Sequence, residues 1–124
     1  MSKTWQSGRE SYLLDEIIAG RKTLEGRLNK GKFAEYRVGD TVQLRRDWRD
    51  DAGVLHDGEE NAARIKIVAI RSYANFLDLV QSEGFSRVIP SAVSAPEAAA
   101  EYNRYYTAED QERFGVLAIE VRVI

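Results

Sequence analysis

At 124 residues, 44% of them hydrophobic, the chain has the size of one domain and can bury a core on packing alone. It has no cysteine, which excludes disulfides, a thiolate nucleophile and the zinc-knuckle and iron–sulfur sites that need thiolates. The net charge of −2 argues against indiscriminate nucleic-acid binding, but residues 1–50 carry 11 Lys or Arg against 8 Asp or Glu, and residues 51–124 carry 7 against 12.

The excess positive charge is concentrated between Arg21 and Arg49, the natural place for an anionic ligand. The first residues are polar and lack the about 7 to 15 apolar positions of a signal peptide. No apolar run reaches the roughly 18 residues of a membrane span, so a cytoplasmic protein is expected. Leu13, Leu14, Ile17 and Ile18 recur at helical spacing, with Gly20 placed to end the helix. Thr23 to Leu28 reads as a strand, with Leu24 and Leu28 on one face and Thr23, Glu25 and Arg27 on the other. A loop at Asn29 to Lys32 and a turn at Val38-Gly39-Asp40 lead into a strand from Thr41 to Arg45, with Val42 and Leu44 toward the core. Residues 47–60 are polar and turn-rich and read as a long hairpin connection.

The run from Ala62 to Ser72 suits a central strand buried on much of both faces. Phe76 to Glu83 is predicted as a short helix closed by Gly84. Ser94, Pro96 and Glu97 mark the start of another helix running to about Tyr106, and Thr107 with Asp110 marks a further turn. A last strand spans about Gly115 to Val123. The order lacks the regular strand–helix alternation of a parallel sheet, so a single α+β domain over 1–124 is expected, a small mixed or antiparallel barrel with flanking helices.

The most informative segment is Ala19 to Arg27. Three polar side chains within five residues, Thr23, Glu25 and Arg27 on the strand face opposite Leu24 and Leu28, are hard to explain as barrel filling, because charged groups are seldom buried unless paired. They are expected to line a cavity. Gly26, without a side chain, lets a flat ligand or a backbone approach. The plainer reading is a Glu25–Arg27 salt bridge at the barrel mouth. Gly20, Lys22, Glu25 and Arg27 match the G-x-K-x-x-E-x-R pattern of ASCH domains, and the Val38-Gly39-Asp40 turn, Tyr105-Tyr106 and Gly115 to Glu120 also resemble that family. The resemblance runs from about Leu13 to Val121 and implies a PUA-like fold.

It also implies two kinds of activity. Small bacterial members similar to this chain hydrolyse N(4)-acetylcytidine to cytidine and acetate, and another class is described as binding or cleaving single-stranded RNA. In the amidohydrolases a lysine, a threonine of a K-x-x-T motif and a later glutamate do the catalysis. Lys22 matches the lysine, but Glu25 stands where the threonine would be, and Glu83 is the nearest counterpart of the later glutamate.

Two mechanisms follow as expectations. In the preferred one Glu25 is the general base toward a water, with Lys22 or Arg27 stabilising the oxyanion. In the other Lys22, its pKa lowered by Arg27 and by burial, is itself the nucleophile or base. The expected catalytic residues are thus Lys22, Glu25 and Glu83, with Arg27, Thr23, Gly26, Lys32, Tyr36 and Tyr105 binding substrate. Tyr36, Trp48, Tyr73, Tyr105 and Tyr106 are available to stack on a base, although most aromatics in such a domain are core. Lys30, Lys32, Arg45, Arg46 and Arg49 suit phosphates. His56, the single histidine, lies among acidic residues and reads as surface, and no metal site, cofactor motif or Walker loop is seen. The leading expectation is a metal-independent amidohydrolase acting on an N(4)-acylated cytidine nucleoside, without a cofactor and away from membranes. The alternatives are an RNA-binding module or weak ribonuclease, disfavoured by the net charge, and a non-catalytic nucleotide sensor.

Overall fold

The computed structural model describes residues 2–124. Strand β1 (Thr4–Glu10) passes directly into helix α1 (Ser11–Ile18), which buries Leu14 and Ile17 three positions apart on one side. The backbone N–H of Gly20 donates to Ile17 O, and its φ of 79° is the left-handed turn expected to stop the helix. β2 (Leu24–Leu28) is followed by one turn of helix, α2 (Lys32–Glu35), and by β3 (Thr41–Arg49). β4 (Leu55–Tyr73), α3 (Phe76–Glu83), α4 (Phe85–Val88), α5 (Ala95–Asn103), α6 (Ala108–Phe114) and β5 (Val116–Val123) complete the chain.

The sheet order is β1-β3-β4-β5-β2, with β1 parallel to β3 and every other pair antiparallel. β1 and β2 are therefore the two edges. Yet Arg9 of β1 and Glu25 of β2 are hydrogen-bonded to each other, which is possible only if the sheet curls until its edges face across a seam. The expected α+β barrel is thus a curled, incompletely closed one.

Alternation along the strands divides the apolar residues into two cores. Val42, Leu44, Ile65, Ile67, Leu117, Ile119 and Val121 fill the inner face under Leu14 and Ile17 of α1. Leu24, Leu28, Val116 and Ala118 face outward and are covered by Phe76, Leu79 and Val80 of α3 and Ala98, Ala99 and Tyr102 of α5. The register sets Glu25 beside Ile119 and Arg27 beside Leu117, so both charged side chains belong to the inner face, opposite Leu24 and Leu28.

Some elements differ from the expectation. β1 has no apolar alternation and was not predicted as a strand. It is held by its parallel pairing with β3 and by Asp40, whose buried carboxylate accepts from the Lys3 N–H and the Trp5 indole N–H. Residues 47–60 do form a hairpin, but its connection is short: β3 continues to Arg49, Asp50 to Val54 make a tight turn closed by the Asp50 carboxylate, and β4 starts at Leu55. Two register shifts, between Leu44 and Trp48, bend this ribbon, and Trp48 stacks on His56 at 4.5 Å. α5 ends at Asn103 rather than near Tyr106. Ser94 and Thr107 do cap helices, accepting from the Glu97 and Asp110 N–H groups.

Candidate functional site

The seam opens into a cavity of about 610 Å³, within the size range of small-molecule sites. Its walls are the end of β1 (Gly8, Arg9, Glu10), the middle of β2 (Glu25, Gly26, Arg27), the first half of α1 with Arg21 and Lys22 beyond it, the Ile89-Pro90-Ser91 segment after α4, and Tyr102, Tyr105 and Tyr106 from α5 and its end.

Lys22 is buried, and its ammonium donates to Leu24 O at 3.0 Å and Val88 O at 2.5 Å. Burial pulls its pKa down from 10.5 to about 8; Glu25 opposes the fall, and the charges of Arg27 and Arg9 add to it. Glu25 is only 3% exposed. Arg9 grips both of its oxygens in a fork, with Nε on Oε1 at 2.6 Å and Nη2 on Oε2. Burial alone would raise the Glu25 pKa, but the charge and hydrogen bonds of Arg9, then Arg27 and Lys22, hold it at about 2. The Arg9 Nη1 donates to Ser7 Oγ and Gly8 O, so that four of the five N–H groups of this guanidinium are engaged.

Arg27 is different. Its Nη1 lies 3.5 Å from the Tyr106 hydroxyl, a long contact, and its guanidinium carbon stands 5.0 Å from the Phe33 ring centre. Its buried Nε has no hydrogen-bond partner among the described residues. The plainer alternative, a Glu25–Arg27 salt bridge, is not what forms: Glu25 pairs with Arg9.

Gly26 is in the cavity wall, but the neighbour that needs its missing side chain is Tyr102. A Cβ there would stand 2.9 Å from Tyr102 Cζ and 3.1 Å from Phe76 Cε1. The Gly26 N–H, on the free side of an edge strand, donates to the Tyr102 hydroxyl at 3.2 Å, and that ring stacks on Phe76 at 4.3 Å. Tyr105, 71% exposed, lies at the mouth with Tyr12.

The remaining predicted residues lie elsewhere. Glu83 does not reach the cavity: it accepts from Arg71 Nε at 2.5 Å and Nη2 at 2.7 Å and from the Tyr73 hydroxyl at 2.6 Å, bracing α3 on β4. Thr23 accepts from Arg87. Lys32 donates to Gln6 O outside the cavity. Tyr36 is buried against Trp5 and Phe33, its hydroxyl without a partner among the described residues. Arg9, Tyr12 and Tyr102 were missed by the sequence reading. A buried Glu25 called for a cationic partner, but nothing marked Arg9 as that partner.

A second hollow, about 770 Å³, lies between α3 and α6 and shares Tyr106. Its amide Gln111 is committed to Asn103 Oδ1, Tyr106 O and the Phe76 N–H, a structural knot. Among the described residues no cluster of His, Asp or Glu is placed to hold a metal ion, and no helix is long and apolar enough to cross a membrane.

A family model described as the ASCH domain matches residues 10–124. Among solved structures, the chain is similar to the hypothetical protein PH0355, with 28% identity, a TM-score of 0.80 and coverage of 98% of this chain and 99% of that one. Protein PF0455 from Pyrococcus furiosus gives 27% identity and a TM-score of 0.76 over 98% and 97% of the two chains. The ASCH domain from Lactobacillus crispatus shares the fold at 12% identity, with a TM-score of 0.62 over 98% of this chain and 79% of that one. No curated protein sequence matches.

Proposed function

The chain belongs to the ASCH domain family, and we propose that it is an amidohydrolase that removes the acyl group from an N(4)-acylated cytidine nucleoside. The observation that carries this reading is Lys22: a buried amine in a nucleoside-sized cavity, with its pKa pulled down to about 8 and a partly unpartnered Arg27 in the same wall. A group of that pKa is unprotonated in roughly a tenth of molecules at pH 7, the range a general base needs.

The geometry supports Lys22 over Glu25 as the base. Glu25 stays ionised, but a carboxylate with a pKa of about 2 and both oxygens held by Arg9 has little affinity for a proton. Lys22 then takes a proton from a water whose oxygen attacks the acyl carbon. The carbonyl electrons move to its oxygen, and Arg27 stabilises that oxyanion. As the tetrahedral intermediate collapses, the bond from the acyl carbon to N4 breaks and the Lys22 ammonium returns its proton to the leaving amine. Water and amide are consumed; cytidine and a carboxylic acid are formed. Direct attack by Lys22 is less economical, because it yields an acyl-lysine amide no easier to hydrolyse than the substrate. Tyr12, Tyr102, Tyr105 and Tyr106 supply aromatic walls suited to a pyrimidine.

The rim favours a neutral nucleoside over RNA: its exposed cations Arg21 and Arg49 are already paired, with Glu16 and Glu10 respectively, which leaves less positive charge for a phosphate backbone. The test is incubation with N(4)-acetylcytidine, following the ultraviolet change as cytidine forms. Turnover by the wild type, with loss in Lys22→Met and a fall of about 10²-fold or more in Arg27→Gln, is expected. No turnover at any protein concentration removes the reading, and binding of single-stranded RNA becomes the next measurement.

A further inference from the structure

The cavity interior holds more positive charge than its protein groups neutralise. Arg9 and Glu25 cancel as a forked pair, each using its principal donors or acceptors on the other. That leaves the Lys22 ammonium and the Arg27 guanidinium. Lys22 has two of its three N–H groups on the carbonyls of Leu24 and Val88, which are dipoles and not charges. Among the described residues, the hydrogen bond of Arg27 is the long one to Tyr106, and its buried Nε–H meets nothing. The other carboxylates of the cavity, Glu10, Glu16 and Glu101, sit with Arg partners of their own. Glu25 is thus the one carboxylate shared by three cations, Arg9, Lys22 and Arg27; under-compensated charge and a buried donor without an acceptor are both costly, and one small anion relieves both.

We propose that Arg27 and Lys22 form a subsite for a small monocarboxylate anion. The surplus of charge and the free Arg27 donor point to an anion; the choice of a carboxylate rests on the amidohydrolase reading, of which it is the released acid. Planar guanidinium and planar carboxylate match in shape, which a point charge such as lysine alone does not achieve. The subsite makes the acid product an inhibitor that competes with substrate, because it occupies the place where the acyl oxygen develops charge.

The experiment is calorimetric or NMR titration of the full chain near pH 7, in a chloride-free zwitterionic buffer, with sodium acetate and with acetamide, its uncharged isostere. Saturable acetate binding with a Kd of about 10 mM or tighter, and acetamide at least tenfold weaker, is expected. Arg27→Gln should weaken acetate at least tenfold. Arg27→Lys, which keeps the charge but removes Nε–H, should fall between that variant and the wild type, so that loss of binding is separated from loss of folding. Absence of saturation up to about 0.1 M acetate, equal binding of acetamide, or undiminished binding by Arg27→Gln overturns the subsite. The two readings fail separately. Acetate binding without hydrolysis of N(4)-acetylcytidine keeps the subsite and removes the amidohydrolase; hydrolysis without acetate binding does the reverse.

Discussion

Replacing Arg9 by Met strands the Glu25 carboxylate inside the seam. In the native protein that carboxyl falls from 4.5 to about 2 although burial pushes the other way, a difference worth about 3 kcal/mol. Glu25 is 3% exposed, so solvent screening removes little of this. Losing the partner while keeping the buried charge should therefore cost about 3–5 kcal/mol, a large part of the stability of a domain this size. Urea unfolding at pH 7, followed by tryptophan fluorescence, reads the loss directly.

Two further arms sharpen that measurement. The native carboxyl has a depressed pKa, so its contribution is present above about pH 4.5 and is lost as pH falls toward 2; the gap between wild type and Arg9→Met must narrow over that window. In a double-mutant cycle with Glu25→Met, the two substitutions should couple by about 2–3 kcal/mol, because the second removes the charge that the first left alone. A loss below about 1 kcal/mol, additive substitutions, or a gap that ignores acid would refute the claim that Arg9–Glu25 holds the two sheet edges together.

Two other predictions concern the lysine and the glutamate that sequence reasoning had placed in catalysis. If Lys22 acts as a neutral base, kcat/KM should rise about tenfold per pH unit below about 8 and level off above it, and the same group should make the wild type gain up to about 3 kcal/mol relative to Lys22→Met between pH 8 and 10.5, where the unfolded chain holds a proton that the folded one has released; a flat rate profile or a constant stability difference denies the buried amine. Glu83→Gln should lower stability by about 1–3 kcal/mol through the loss of its charged bonds to Arg71, yet leave kcat within about twofold of the wild type, since the carboxylate is outside the cavity; a large fall in kcat in a folded variant would return Glu83 to the reaction.

What was legible in the sequence was whatever depends on local pattern. The α1 stripe and its Gly20 stop, the caps at Ser94 and Thr107, and the alternation that separates Leu24 and Leu28 from Glu25 and Arg27 all survive in the structure, because each is set within a few residues. What failed was long-range. β1 is a polar edge strand whose place is decided by β3 and by Asp40, so no period of two marks it, and with it Arg9 was lost. The outer part of the β3–β4 ribbon, residues 47–60, carries no strand signal because most of it is exposed and no apolar alternation marks it, unlike the inner part with Val42, Leu44, Ile65 and Ile67. Glu83 stands at a helix end whose surroundings, Arg71 and Tyr73, come from β4.

The same long-range geometry explains why the cavity is where it is. A sheet of five strands that curled to completion would pair β1 with β2 through backbone hydrogen bonds and leave only side chains inside. Here the Gly26 N–H on the open side of β2 goes to the Tyr102 hydroxyl instead, and the edges are joined by the side chains of Arg9 and Glu25. A side-chain tie spans a wider gap than a strand ladder, and the gap is the cavity. Its cost is a cluster of buried charge, which is tolerable only because Arg9 and Glu25 satisfy each other. Their pairing leaves Lys22 and Arg27 as the groups with affinity to spare, and a ligand entering the seam meets those two.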